Sequence, residues 1–254
     1  MLTAEQMLEN WGKFLGWIEE YIPGERGKKL HEFYSSYEER FILLPASTKK
    51  DYHNCFAGGY VEHVNRVVEA ALKIDSVWRE MGVKNTYTTE ELVFSALNHD
   101  LGKFGDLDCE SVFPNTNDWE VKNRGILYKY NPELNYMSVP DRGLYILSQL
   151  GIKVSLVETL SIKLHDGLYD EANKPYLITY YPESKLRSSL PHIIHQADLL
   201  AARVEFERDY KLPTSEPIKQ ESKPKVSKQP IKTKALSSIG SDSLKDVMSN
   251  FFND

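Results

Sequence analysis

Four side chains in this sequence, His63, His99, Asp100 and Asp198, are of the types that hold a divalent metal, and they fall in the order His…His-Asp…Asp. Imidazole nitrogen combined with carboxylate oxygen suits Mn, Fe, Co, Ni or Zn, and the carboxylates also admit Mg. A lone His-Asp dipeptide arises by chance in many proteins. An ordered set, each member inside a helix-like stretch, is far more specific. Asp198 stands between Ala197 and Leu199-Leu200-Ala201-Ala202, and a carboxylate in such surroundings needs a partner or a metal. Asp100 has similar neighbours.

Around these four lie residues suited to a bound anion. Lys103, one turn beyond His99, is placed to neutralise phosphate charge, although a solvated surface lysine would have the same spacing. Arg66 follows His63 by three residues and His195 precedes Asp198 by three, which makes them helical neighbours. His195 is expected either to orient Asp198 or to contact substrate.

The elements that must position these groups read as helices. Residues 3 to 20 carry Met7, Trp11, Phe14, Leu15 and Ile18 at helical spacing, closed by Pro23-Gly24. A second helix is expected over 28–43 and a third over 60–81, with Gly82 as its stop. Thr88 and Glu91 form a capping box, and so do Ser155 and Glu158. The first box opens a helix expected to run through His99 and Asp100 to Lys103. Adjacent positions of a helix point about 100° apart, so both groups can reach one ion on the helix shoulder. Residues 106–140 show no clean period and read as a long, partly irregular excursion. A short helix over 141–150 follows. The second box opens a helix to His165. Residues 175–188 read as irregular, and Pro191 begins the last helix, ending near Tyr210. The fold class expected is all-α, a helical bundle over residues 1–212.

After Leu212 the composition changes. Residues 213–237 hold four prolines, six lysines and no aromatic residue, which cannot offset the cost of ordering, so a disordered linker is expected over 213–240. Residues 241–254 are apolar again and form a short terminal motif. The net charge of −6 is uneven: the stretch from Pro213 onward has seven lysines against five acidic residues, leaving −8 on the body. An acidic body argues against broad contact with a nucleic-acid backbone, but a bound metal can still present local positive charge to one phosphate. No run of about 18 apolar residues suggests a membrane span, and no secretory leader is visible. Cys55 and Cys109 form neither a metal spacing nor a disulfide framework, so a reducing cytoplasm, a host's if the chain is viral, is the simplest setting.

At these residues the chain resembles the HD-domain metal-dependent phosphohydrolases. Leu44-Pro45-Ala46-Ser47, His53 and Gly58-Gly59-Tyr60-Val61-Glu62-His63 are similar to the family's entry motif. His99-Asp100-Leu101-Gly102-Lys103 matches its HD-x-G-K element, Ile162 to Gly167 its later H-x-G, and His195 to Ala201 its closing H-x-A-D helix. The resemblance spans about residues 44–205. It implies an all-helical HD-domain fold and hydrolysis of a phosphate ester, a nucleotide above all, with metal held by His63, His99, Asp100 and Asp198. Asp100, Lys103 and His165 are then the expected catalytic groups, and His53, Arg66 and His195 the substrate contacts. Members with two metals carry further histidines; here Met137 to Leu144 has none. One ion is therefore expected, with His165 facing the cleft or holding a second ion weakly. Two other readings stand beside this one: a catalytically weak scaffold, and a 3′–5′ exoribonuclease, which the resemblance also admits and the acidic body disfavours. The terminal motif resembles a sliding-clamp-binding peptide through Met248, Phe251 and Phe252, with Lys245 where a Gln is usual. That implies a clamp or replication partner; the alternative is a tail folding back on the body.

Overall fold

Thr3 begins the first helix: its side chain accepts from the Gln6 amide while Gln6 reaches back to the Thr3 amide. A computed structural model describes residues 2–84 and 86–209 and is mostly helical. Helix α1 (Ala4–Tyr21) turns Trp11, Phe14 and Ile18 inward. Residues 24–43 form two helices, α2 (Gly24–Ser36) and α3 (Glu38–Leu43), rather than one. The break at Tyr37 (φ −120°, ψ 26°) re-aims α3 so that Phe41 packs on Phe33, Tyr34 and Trp11.

Helix α4 (Gly59–Glu80) is the central element and packs against α1, α3, α5 and α10. It starts tightly. Gly58 is in the left-handed region (φ +88°), and a Cβ on Gly59 would collide with the Asn54 carbonyl. The expected capping box opens α5 (Thr89–Asn98). This helix stops at Asn98 instead of running to Lys103, and a 3-10 turn, Leu101–Phe104, follows. At that end Asn98 is buried; it donates to the Phe94 carbonyl at 2.8 Å and accepts from the Tyr34 hydroxyl at 2.9 Å.

Residues 106–138 are more ordered than their sequence suggests. Strands β1 (Val112–Pro114) and β2 (Tyr128–Tyr130) pair antiparallel, with Val112 opposite Tyr130, and enclose the short helix α6 (Asp118–Arg124). Three-residue strands are too short to show an alternating pattern, so they escape periodicity. Helix α7 (Val139–Gln149) lies against the 3-10 turn so closely that a Cβ on Gly102 would meet the Val139 carbonyl. Helix α8 (Leu156–Lys163), capped by Ser155 and Glu158, precedes two short 3-10 turns, Gly167–Tyr169 and Glu171–Asn173. The four-residue α9 (Lys174–Leu177) and a third 3-10 turn, Pro182–Ser184, then fall in the stretch 175–188 that reads as irregular from sequence. The last helix, α10 (Leu190–Asp209), packs along α4 and α8.

Phe33, Tyr34, Phe41 and Phe104 interlock as stacked and edge-on rings beneath the start of α4. Burying such a side chain contributes roughly 1.5–3 kcal/mol. No helix among the described residues is long and apolar enough to cross a membrane. The expected linker and the motif at Met248, Phe251 and Phe252 lie outside the described residues.

Candidate metal centre

Four helix segments converge on one cluster. His63 comes from the first turns of α4, His99 and Asp100 from the end of α5, His165 from just beyond α8, and Asp198 from the middle of α10. His99 and Asp100 are not two positions of one continuing helix. The chain leaves helical geometry at Asp100 (φ −104°, ψ 11°), and both side chains reach the same spot, His99 Nε2 lying 3.4 Å from Asp100 Oδ2.

The distances describe a tight set. His63 Nε2 is 3.1 Å from Asp198 Oδ1 and 3.7 Å from Asp100 Oδ2. His99 Nε2 is 3.8 Å from Asp198 Oδ1. On the other side of Asp100, Oδ1 is 3.5 Å from His165 Nε2, and that nitrogen is 3.6 Å from Asp166 Oδ2. Three overlapping groups thus each hold ligand atoms within 4.8 Å of one another: His63, His99 and Asp198; His99, Asp100 and His165; His165, Asp166 and Asp198.

The protonation pattern fits metal ligation. His63 Nδ1 faces Glu205 Oε2 at 2.9 Å, His99 Nδ1 faces the Ala96 carbonyl at 2.7 Å, and His165 Nδ1 faces the Ile162 carbonyl at 2.8 Å. Carbonyl and ionised carboxylate oxygens only accept, so each Nδ1 carries the hydrogen and, in the neutral ring, Nε2 presents its lone pair to the cluster. The Nε2 atoms of His63 and His99 are buried with no hydrogen-bond partner; Asp198 is near His63 but out of line. An orphaned buried nitrogen is costly, and a cation at the centre satisfies both.

The electrostatics of the cluster call for positive charge at its centre. Burial disfavours charge on His63, yet Glu205 and Asp198 outweigh it and lift its pKa to about 10. Burial likewise opposes protonation of His165, and Asp100 with Asp166 lifts it to about 9. Burial works against the carboxylates too, but Lys103 and His99 hold Asp100 well below the usual range, and His63 and His99 do so for Asp198. The carboxylates stay ionised and demand positive charge, which protons or a metal can provide.

Lys103 Nζ bonds Asp100 Oδ2 at 2.5 Å, so it is fixed to the cluster. Its pKa is raised: burial opposes the charge and Asp100 overcomes it. The His53 ring lies against His63 with centroids 4.6 Å apart. Burial, then the neighbouring His63 and Lys103, pushes His53 down to about 4. Arg66 is engaged with Glu205 at 3.0 Å and Glu62 at 3.4 Å, behind His63. His195 donates to the His165 carbonyl at 2.7 Å rather than to Asp198. It fills the space over Gly167 (φ +57°), where any Cβ would overlap its ring, and so fixes the turn that follows His165.

No protein-family model, curated protein or solved structure matches this chain.

Two members of the centre are not among the groups expected from sequence to hold metal. Glu205 is fully buried and lies seven residues beyond Asp198, two turns along the same face of α10. Asp166 repeats the pattern of Asp100: each follows a histidine that sits just past a helix end and precedes a glycine-containing 3-10 turn. Glu205→Ala is expected to weaken metal binding about 10–100-fold while leaving the helical circular dichroism unchanged. Glu205→Gln, which keeps an acceptor for His63 Nδ1, should recover part of the loss. Competition against a chromophoric chelator measures both, and equal affinity for all three proteins would remove Glu205 from the assignment.

Proposed function

We propose that this chain is a metal-dependent phosphohydrolase of the HD-domain type, acting on a nucleotide. The observation that carries the reading is the convergence of three Nδ1-anchored imidazoles on Asp100 and Asp198, with Lys103 beside them. The sequence resemblance supports the same reading through the residues that form the cluster.

The donor set fits one or two divalent ions with mixed nitrogen and oxygen preference. A divalent ion held there supplies Lewis acidity and a water of lowered pKa. Asp100 would help to hold the ion and orient its water; one of its carboxylate oxygens faces His63 and His99 and the other His165. Lys103 neutralises charge on the phosphate. It borders the open cavity beside the cluster while its Nζ stays on Asp100. With a single ion held by His63, His99, Asp100 and Asp198, His165 on the far side of Asp100 is left to carry a proton to a leaving oxygen. Arg66 acts indirectly, by bracing Glu205 against His63.

The test is turnover by the Mn²⁺-loaded protein against mono-, tri- and cyclic nucleotides and short RNA, with Asp100→Ala alongside. Phosphate or nucleoside release that vanishes in the variant establishes the activity. Metal bound with no release from any substrate refutes it. Cleavage of RNA alone transfers the assignment to a nuclease.

A further inference from the structure

A cavity of about 700 Å³ adjoins the metal cluster, with Lys103 and Asp166 on its wall. That volume suits a single small ligand. Its other walls come from the 45–48 segment, the end of β2 with the loop after it, and the turn after His165. Two of these segments bring exposed tyrosines to the cavity: Tyr130 and Tyr136 on the hairpin side and Tyr169 on the turn, with 75%, 96% and 83% of their surface exposed. Large aromatic rings left in water beside a cleft are available for stacking.

The frame that holds them is firm. Arg142, buried, reaches both the Asp106 carboxylate and the Asn135 carbonyl, fixing the loop next to Tyr136. Asn131 donates to the Glu110 carbonyl at 3.0 Å, which ties down the end of β2 next to Tyr130. Tyr169 belongs to the 3-10 turn Gly167–Tyr169, one turn beyond the cluster residue Asp166. The cavity thus has a cation, Lys103, where it meets the cluster, and exposed rings on two of its other wall segments.

We propose that this cavity is a nucleoside site, in which Tyr130, Tyr136 and Tyr169 take the base while Lys103 and the metal cluster take the phosphate. The inference rests on the phosphohydrolase reading for the phosphate end and on the tyrosine-bearing cavity for the base. A net −8 on the body disfavours a long polyanion and favours one nucleotide with a single phosphoryl group at the cluster. The excursion between α5 and α7 then has a role: it carries Tyr130 and Tyr136 of the base-recognition wall.

Binding of non-hydrolysable nucleoside 5′-methylenephosphonates to the full-length Mn²⁺-loaded protein tests this, with the base-free ribose phosphonate as reference. At least one base is expected to bind about ten-fold or more tightly than the reference. Tyr130→Ser, Tyr136→Ser and Tyr169→Ser, made singly at these exposed positions, should erode that ratio without changing affinity for the reference. Equal affinity of base-bearing and base-free ligands overturns the proposal, and so does a base preference that survives all three substitutions. Hydrolysis of bis(p-nitrophenyl) phosphate separates the two readings. Its turnover without base preference leaves the hydrolase standing and removes the nucleoside site. Base-dependent binding without turnover of any ester does the reverse.

Discussion

Asp198→Ala is expected to cost more metal affinity than any change behind the ligands, beyond the roughly 10–100-fold assigned to Glu205→Ala. Asp198 is the carboxylate shared by two of the ligand groups, one through His63 and His99 and one through His165 and Asp166. Removing it deprives both at once. It also leaves His63 Nε2 without its nearest carboxylate, 3.1 Å away, in a fully buried position. Metal content after gel filtration should fall sharply. On the phosphohydrolase proposal, turnover under saturating substrate should also fall at least about 100-fold, because Lewis-acid stabilisation of a transition state is worth several kcal/mol. A structural role alone would lower thermal stability without altering metal stoichiometry. A variant with full metal content and wild-type rate would dismiss Asp198 as a ligand.

The two aspartates also show what was legible from sequence. Asp198 in an apolar helix and Asp100 in an apolar run stand out because buried charge demands a partner. The capping boxes at Thr88 and Ser155 were equally readable, since they depend on residues three apart. What failed to show was anything fixed by tertiary geometry. The partner that lets Asn98 be buried at the end of α5, the Tyr34 hydroxyl, arrives from α2. Arg66 looked like a substrate group from its spacing after His63, but its partner Glu205 is contributed by α10, more than a hundred residues later. The hairpin of β1 and β2 was hidden because three-residue strands carry no period. His165-Asp166 was visible as a motif, yet only the fold places it opposite His99-Asp100.

A second large effect is expected away from the metal, at Arg26. This residue of α2 ties together the N-terminal ends of the two helices whose far ends deliver His99 and His165. Its guanidinium bonds Glu158 Oε1 of α8 at 2.7 Å and Glu90 Oε1 of α5 at 3.1 Å, and lies 3.5 Å from the ring centre of Phe94. The Glu158 side chain is 0% exposed, and its other oxygen accepts from the Ser155 amide at 2.7 Å. Arg26→Met keeps much of the aliphatic packing but leaves Glu158 as a buried carboxylate with no cation. Such a change costs about 3–5 kcal/mol, or roughly 10 °C in Tm for a body of this size. The sign of its pH dependence follows from Glu158. Burial raises its pKa in the folded state, against the lowering by Ser155 and Arg26. The folded protein therefore holds that proton more tightly than the unfolded chain does. The penalty of burying the charge is complete above the raised folded pKa and disappears below the unfolded one. Losing Arg26 raises the folded pKa further and widens that window. The Tm deficit of Arg26→Met relative to wild type should be largest near neutrality and shrink as pH falls toward the ordinary carboxylate range. Adding Glu158→Gln should restore much of the loss at neutral pH. A deficit that is the same at every pH, and is not relieved by the second substitution, would mean that Arg26 stabilises the body through its contact with Phe94 rather than through the buried charge.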